Sequence, residues 1–387
     1  MTILFELHFW IGVLVSYIIL SITPTSRKAD VYGLISLTII AIVGSIYVAV
    51  TAAIFVLLLF LLVKFYRRKP KQPLMVVTLA FIPTCLVGYS FYFDYSTQIK
   101  ALITLNPFFE HKVLGSLLVL GFSYAALRSW DFLRTIRDGN APPSYLTLLG
   151  FVFPFHMLAA GPICRYRDYI KQQSQLPATD YSAFINAICI ITTGMFYKVV
   201  IAESIRIFGW GVDGRLHTDS LLETAILFIY LFFDFAGYSA VALGIGKLLG
   251  IPTPVNFDRP FLSKNITEFW SRWHISLGSF VRDNIYTPIQ LYLVRKHGVK
   301  KAPAIAFVTS VISFAFTGLW HQLTLAFVTW GAMLGTVVAI EKVLRDRKIS
   351  IYLIQPNKYV YAKQFIGMCY VFFTITISLH LVMNSIL

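Results

Sequence analysis

Two histidines occupy positions where a proton carrier would be useful. His274 ends the run EFWSRWH, directly after Trp273, and His321 ends the apolar run SVISFAFTGLWH, directly after Trp320. A neutral imidazole with a pKa near 7 removes a hydroxyl proton as the oxygen attacks, and typically supplies about 10² to 10⁴ in rate. Desolvation beside an indole favours that neutral form at His274. The flanking segments are hydrophobic enough to lie in a bilayer, where an ionisable side chain is costly and marks a functional position. For His321, composition alone weighs a second reading equally, an interfacial residue bonded to a backbone carbonyl. The chain has neither a G-x-S-x-G elbow nor an H-E-x-x-H zinc motif. Its cysteines, Cys85, Cys164, Cys189 and Cys369, lack CxxC or zinc-ligand spacing, so nothing favours a disulfide or a metal.

The elements that must hold these histidines are membrane helices. Of 387 residues, 57% are hydrophobic and 13% charged, against roughly 45 to 50% and ~25% in soluble domains. The expected fold is all-α and polytopic, with ten or eleven transmembrane helices in one domain over 1–387. Candidate spans run Leu4–Ile22, Val31–Val63, Leu74–Phe93, Val113–Leu133, Tyr145–Ile163, Phe184–Ala202, Leu221–Leu249, Ala304–Trp320, Leu323–Ile340 and Phe365–Leu387. The second is long, so it is either a tilted helix or two helices turning near Gly44 to Thr51. The first reads as a retained span rather than a signal peptide, because no basic region precedes it.

The formal charge of +15 belongs to the loops, as positive-inside topology requires, and not to a nucleic-acid surface. KFYRRKPK (Lys64–Lys71), RTIRDGNAPP (Arg134–Pro143), RKHGVKK (Arg295–Lys301) and KVLRDRK (Lys342–Lys348) then share one face, which puts Trp320–Leu323 on the other. Tyr145–Ile163 departs from this order. Pro154, Gly161 and Pro162 interrupt it and a further basic loop, CRYRDYIK, follows it, so a broken or re-entrant segment is expected. Ile266–Asp283 alternates charge with apolar bulk and reads as one amphipathic or partly buried helix. Asp234, inside an apolar run, needs a partner, expected from an Arg or Lys of the re-entrant region.

The order and spacing of several motifs resemble the membrane-bound O-acyltransferase family. They are IRDG at Ile136–Gly139, AGPICRY at Ala160–Tyr166, FFDFAGYS at Phe232–Ser239, NFDRPFLSKNITEFWSRWHISL at Asn256–Leu277, RDNIY at Arg282–Tyr286 and GLWH at Gly318–His321. The likeness covers about 123–330 and is strongest to the bacterial branch that includes teichoic acid D-alanyltransferase and the alginate and peptidoglycan O-acetyltransferases. The chain's length and the short part after Trp330 look more like the D-alanyl members. Gln322 departs from the family's usual Gly, which bears on the shape of the acceptor entrance.

The resemblance implies re-entrant and amphipathic helices around a central channel, in which an acyl group meets a hydroxyl arriving from the opposite side. It makes His321 the base and His274 the second catalytic group, which either orients the acceptor or its partner histidine or donates to the oxyanion. Substrate-binding candidates are Trp273, Trp320, Arg272, Arg282, Asp283, Asn256 and Gln322. Arg165, Arg167, Arg295 and Lys296 are candidates for carrier-protein docking. No cofactor is bound permanently, since the donor is acyl-phosphopantetheine on an acidic acyl carrier protein. The implied acceptor is a cell-envelope polymer or its lipid-linked precursor, at the cytoplasmic membrane, with membrane lipid and small accessory membrane subunits as further partners. Acetyl transfer is the alternative within the family. A proton-coupled transporter or flippase using the histidines as a relay, and a non-enzymatic scaffold, are the alternatives outside it.

Overall fold

The computed structural model describes residues 6–68, 121–137, 141–172, 180–209, 220–346 and 360–384. Among these residues the chain is helical, with no strand and one isolated bridge, between Phe257 and Trp273. They form two compact units, one from 1–193 with 239–254, the other from 194–238 with 255–387. Each unit is discontinuous in sequence.

In the first unit, α1 (Leu7–Ile22), α2 (Lys28–Val43) and α3 (Ile46–Arg68) lead to α4 (Phe122–Arg137) and α5 (Tyr145–Val152). The long apolar run is two helices, parted at Gly44 and Ser45. Gly33 of α2 and Gly150 of α5 let their backbones approach closely, since a Cβ on Gly33 would lie 1.9 Å from the Leu146 carbonyl oxygen. Small residues at such crossings are the usual means of packing helices in lipid.

The segment after α5 is broken, as its prolines require. A single 3₁₀ turn, Phe155–Met157, is followed by irregular backbone through a cis Gly161–Pro162 bond to α6 (Tyr166–Gln172). Irregular backbone away from water needs donors for its carbonyls. Arg128 supplies them, reaching Val152 at 3.1 Å and Met157 and Pro162 at 3.0 Å. The other end of the segment is held by Asp131, which accepts from Arg165 Nε and from the Tyr166 backbone N–H, each at 2.7 Å. The described part of the expected span at Val113–Leu133 belongs to α4, which buries Arg128, Ser129, Asp131 and Thr135 against the broken segment.

In the second unit and at its borders lie α7 (Tyr181–Met195), running through a π-helical stretch at Phe196–Ala202 into α8 (Glu203–Gly209), and α9 (Leu221–Leu249). Two short helices follow, α10 (Ile266–Arg272) and α11 (Ile275–Val281), then a π-helical stretch Arg282–Tyr286 and α12 (Thr287–His297). The hairpin α13 (Ala302–His321) and α14 (Leu325–Asp346) and the helix α15 (Val360–Asn384) complete the unit. The Asp234 carboxylate pairs with Lys198 Nζ. Its partner therefore comes from the neighbouring π-helical stretch and not from the broken segment, as the sequence had suggested.

Six helices among the described residues are long and apolar enough to cross a membrane: Ile46–Phe65, Tyr181–Gly209, Leu221–Leu249, Val299–His321, Leu325–Asp346 and Gln364–Asn384. Leu7–Ile22 and Tyr145–Met157 are shorter apolar helices. The expected span at Leu74–Phe93 and the first part of Val113–Leu133 lie outside the described residues.

Candidate functional site

The two histidines reach one place by different routes. His321 is the last residue of α13, where the Gln322 N–H still donates to the Gly318 carbonyl at 3.1 Å before the chain turns into α14. Close packing fixes this helix end. A Cβ on Gly318 would sit 2.0 Å from the Phe327 carbonyl oxygen, and one on Gly331 2.1 Å from that of Phe314, so the hairpin's backbones touch on both sides. His321 itself is exposed, with its ring 4.9 Å from Trp320 and 6.1 Å from Trp330 between centroids.

His274 lies in a break, which corrects the expectation of one continuous helix over Ile266–Asp283. Between α10 and α11 its backbone turns left-handed, at φ 48° and ψ 49°. For a residue with a Cβ this conformation costs of order 1–3 kcal/mol and persists only where the surroundings impose it. Here Asn256–Asp258 impose it. The Asp258 N–H donates to the Arg272 carbonyl and the Ile275 N–H to the Asn256 carbonyl, both at 2.9 Å. The Asn256 side-chain oxygen accepts from the Ser276 N–H at 3.2 Å and from the Ser276 hydroxyl at 2.8 Å, and lies 3.1 Å from His274 Nδ1. One asparagine thus caps the first turn of α11 and grips the imidazole preceding it.

Around His274 the setting is aromatic. Its ring meets Phe235 edge-on at 4.8 Å and Trp320 at 6.3 Å. Trp320 therefore touches both histidines. His274 is buried, at 5% exposure. Desolvation lowers its pKa to about 3, and the charge of a protonated His321 pushes the same way.

A residue the sequence reading missed sets the angle of α10. Glu341, buried in α14, accepts from the Ile266 and Thr267 N–H groups at 2.8 Å and from the Thr267 hydroxyl at 2.7 Å. Asn265 adds its side-chain oxygen to the Glu268 N–H at 2.7 Å. A carboxylate at a helix N-terminus is favourable by charge as well as by hydrogen bonding. The sequence signal for Glu341 was an acid late in an apolar helix, and nothing local tied it to α10.

The remaining candidates divide. Trp273 packs among Phe228, Phe232, Phe257 and Phe269, stacked on the last at 5.4 Å. Arg272 pairs with Glu268 at 2.7 Å, one turn back, and the exposed Arg282 pairs with its neighbour Asp283 at 3.0 Å. Gln322 has extended backbone beside His321. Arg295 and Lys296 are exposed in the last turn of α12. In the other unit, Arg167 is exposed, whereas Arg165 is committed to Asp131.

Fold and site together define a multi-pass membrane protein in which one histidine ends a span and a second lies in a helix break, both against Trp320. Residues 36–383 match the membrane-bound O-acyltransferase family, and the chain belongs to it. Among curated relatives, it is 30% identical to a probable alginate O-acetylase of Azotobacter vinelandii over 73% of this chain and 56% of that protein. It is 32% identical to the teichoic acid D-alanyltransferase of Bacillus subtilis over 55% of this chain and 56% of that one. It is also 32% identical to the corresponding protein of Streptococcus thermophilus, over 59% and 58%. The chain thus spans somewhat more than half the length of these relatives.

Proposed function

We propose that this protein is an O-acyltransferase of the cytoplasmic membrane that moves a small acyl group, D-alanyl, from a carrier-protein thioester to a hydroxyl of a cell-envelope polymer such as teichoic acid. The observation carrying this reading is that Trp320 contacts both His274 and His321. In the reaction the acceptor oxygen attacks the thioester carbonyl while His321 takes its proton. The tetrahedral intermediate then expels the pantetheine thiolate, which leaves with that proton, so no covalent enzyme intermediate forms. An exposed imidazole at the end of a span suits a polymer hydroxyl that arrives from the aqueous side. The exposed basic end of α12 suits an acidic carrier, by charge complementarity.

A second reading, O-acetyl transfer, is favoured by the longer match to the alginate O-acetylase, 73% of this chain against 55% for the B. subtilis D-alanyltransferase. The test is to reconstitute the purified protein with alanyl- or acetyl-loaded carrier and a polymer acceptor, and to identify the product by mass spectrometry. An alanyl ester supports the first reading and an acetyl ester the second. His321→Ala should lower the rate by about 10² or more at unchanged protein level. Wild-type turnover in that variant would remove His321 from the base role, and proton-coupled transport without ester formation would replace the acyltransferase reading.

A further inference from the structure

We infer that Asn256 is a positioning residue that holds His274 in the tautomer protonated on Nδ1, so that Nε2 presents a lone pair. This rests on the site described above and settles what His274 offers to it.

One oxygen, Asn256 Oδ1, decides the tautomer. An asparagine amide has an accepting and a donating end, and its orientation is assigned from its partners. At Asn256 the assignment is forced by a partner that only donates, since the backbone N–H of Ser276 lies 3.2 Å from the side-chain oxygen. Turning the amide over would set an NH₂ group against that N–H, at a position 2% exposed. The Ser276 hydroxyl, 2.8 Å away, satisfies the same oxygen. With Oδ1 fixed in place, His274 Nδ1 at 3.1 Å must carry a hydrogen to make its bond. A neutral ring protonated on Nδ1 is an acceptor at Nε2.

The ring has little freedom to escape this arrangement. Its backbone is held left-handed by the Ile275 N–H on the Asn256 carbonyl, so the same residue fixes both main chain and side chain. Second-layer partners of this kind commonly set which imidazole nitrogen is basic. It follows that His274 does not serve as an N–H donor to the oxyanion. It accepts from the incoming hydroxyl or from its partner imidazole, and leaves oxyanion stabilisation to other groups.

The test is ¹⁵N magnetic resonance of histidine-labelled protein in lipid, with His274 assigned by its loss in His274→Gln. Wild type should show a pyrrole-type Nδ1 and a pyridine-type Nε2 for this residue. Asn256→Ala should mix the tautomers and slow ester formation by about tenfold or more. Asn256→Asp, which presents the same oxygen, should restore the Nδ1-protonated form and much of the rate. A wild-type His274 protonated on Nε2, or an unchanged tautomer in Asn256→Ala, overturns the inference. If Asn256→Ala does not fold, the wild-type spectrum decides alone. The spectrum is independent of acyl group and acceptor, so its outcome is distinct from that of the transfer assay.

Discussion

His274 is held in a backbone conformation that a side-chain-bearing residue adopts only under constraint, and its imidazole is buried against Phe235 and Trp320. That burial has a signed consequence for stability. The ring's pKa falls from 6.5 to about 3 on folding. Above pH 6.5 both folded and unfolded states are neutral and the residue adds no pH dependence. Between about pH 6.5 and 3 only the unfolded chain binds the proton, so stability declines as pH falls, by up to ~1.4 kcal/mol per unit. Thermal melts in detergent should therefore lose more on acidification for wild type than for His274→Gln, and equal slopes would show that the ring titrates normally. Both histidines were legible in the sequence because an ionisable residue stands out in an apolar aromatic run. Trp320 and Asn256 were also marked, but as substrate-binding residues, and how they hold the histidines was not legible. Asn256 acts on a residue 18 positions away and Glu341 on one 75 away, and neither separation matches the short-range periodicities from which helices are read. The left-handed turn was hidden for the same reason, since it is imposed by the Asn256 segment and not by a glycine.

The elements gather this site through a few polar contacts within apolar helices. Glu341→Gln would keep one accepting oxygen but turn an NH₂ toward N–H donors at the start of α10, leaving a buried donor unmatched at about 1–3 kcal/mol. The expected result is a lower melting temperature together with slower transfer, because α10 ends at His274; a variant with wild-type melting would deny the cap a structural role. Lys198 and Asp234 make a stronger case. Their side chains are 6% and 21% exposed, in two helices that meet the criteria for membrane spans. Removing one partner strands a charge, so Lys198→Met alone should cost about 3–5 kcal/mol. Lys198→Met with Asp234→Leu should cost less than either single change, as measured by denaturant unfolding in micelles. Additive losses would mean that the pair is not coupled. The sequence marked Asp234 as needing a partner but named the wrong region, because a charge pattern gives demand without geometry. The broken helix after α5 was readable from its prolines, whereas Arg128, which satisfies its carbonyls, lay inside what looked like a span.

At the scale of the molecule, apolar content and cationic loops were enough to read an all-helical membrane protein, and the six span-like helices agree with that reading. A helix of 20 residues rises about 30 Å, so α13 is long enough to span a hydrocarbon core between the cationic stretch at Arg295–Lys301 and His321. α14 returns the chain to Arg345. If cationic loops face the cytoplasm, then His321 opens on the outer side. On the proposed function it would there receive polymer hydroxyls, with the basic end of α12 left to a cytoplasmic carrier. Val299 and Leu325 flank α13 at its two ends and are equally exposed, at 78%, so cysteines placed there report on the two ends of that helix. In intact cells a membrane-impermeant maleimide should label Leu325→Cys, with Val299→Cys reacting only after permeabilisation, each judged against the parental protein because Cys189 is itself exposed. The reverse pattern would put His321 on the carrier's side of the membrane. Donor and acceptor would then have to approach the histidines from one face, and a mechanism that draws them from opposite sides would fail however well the imidazoles are placed.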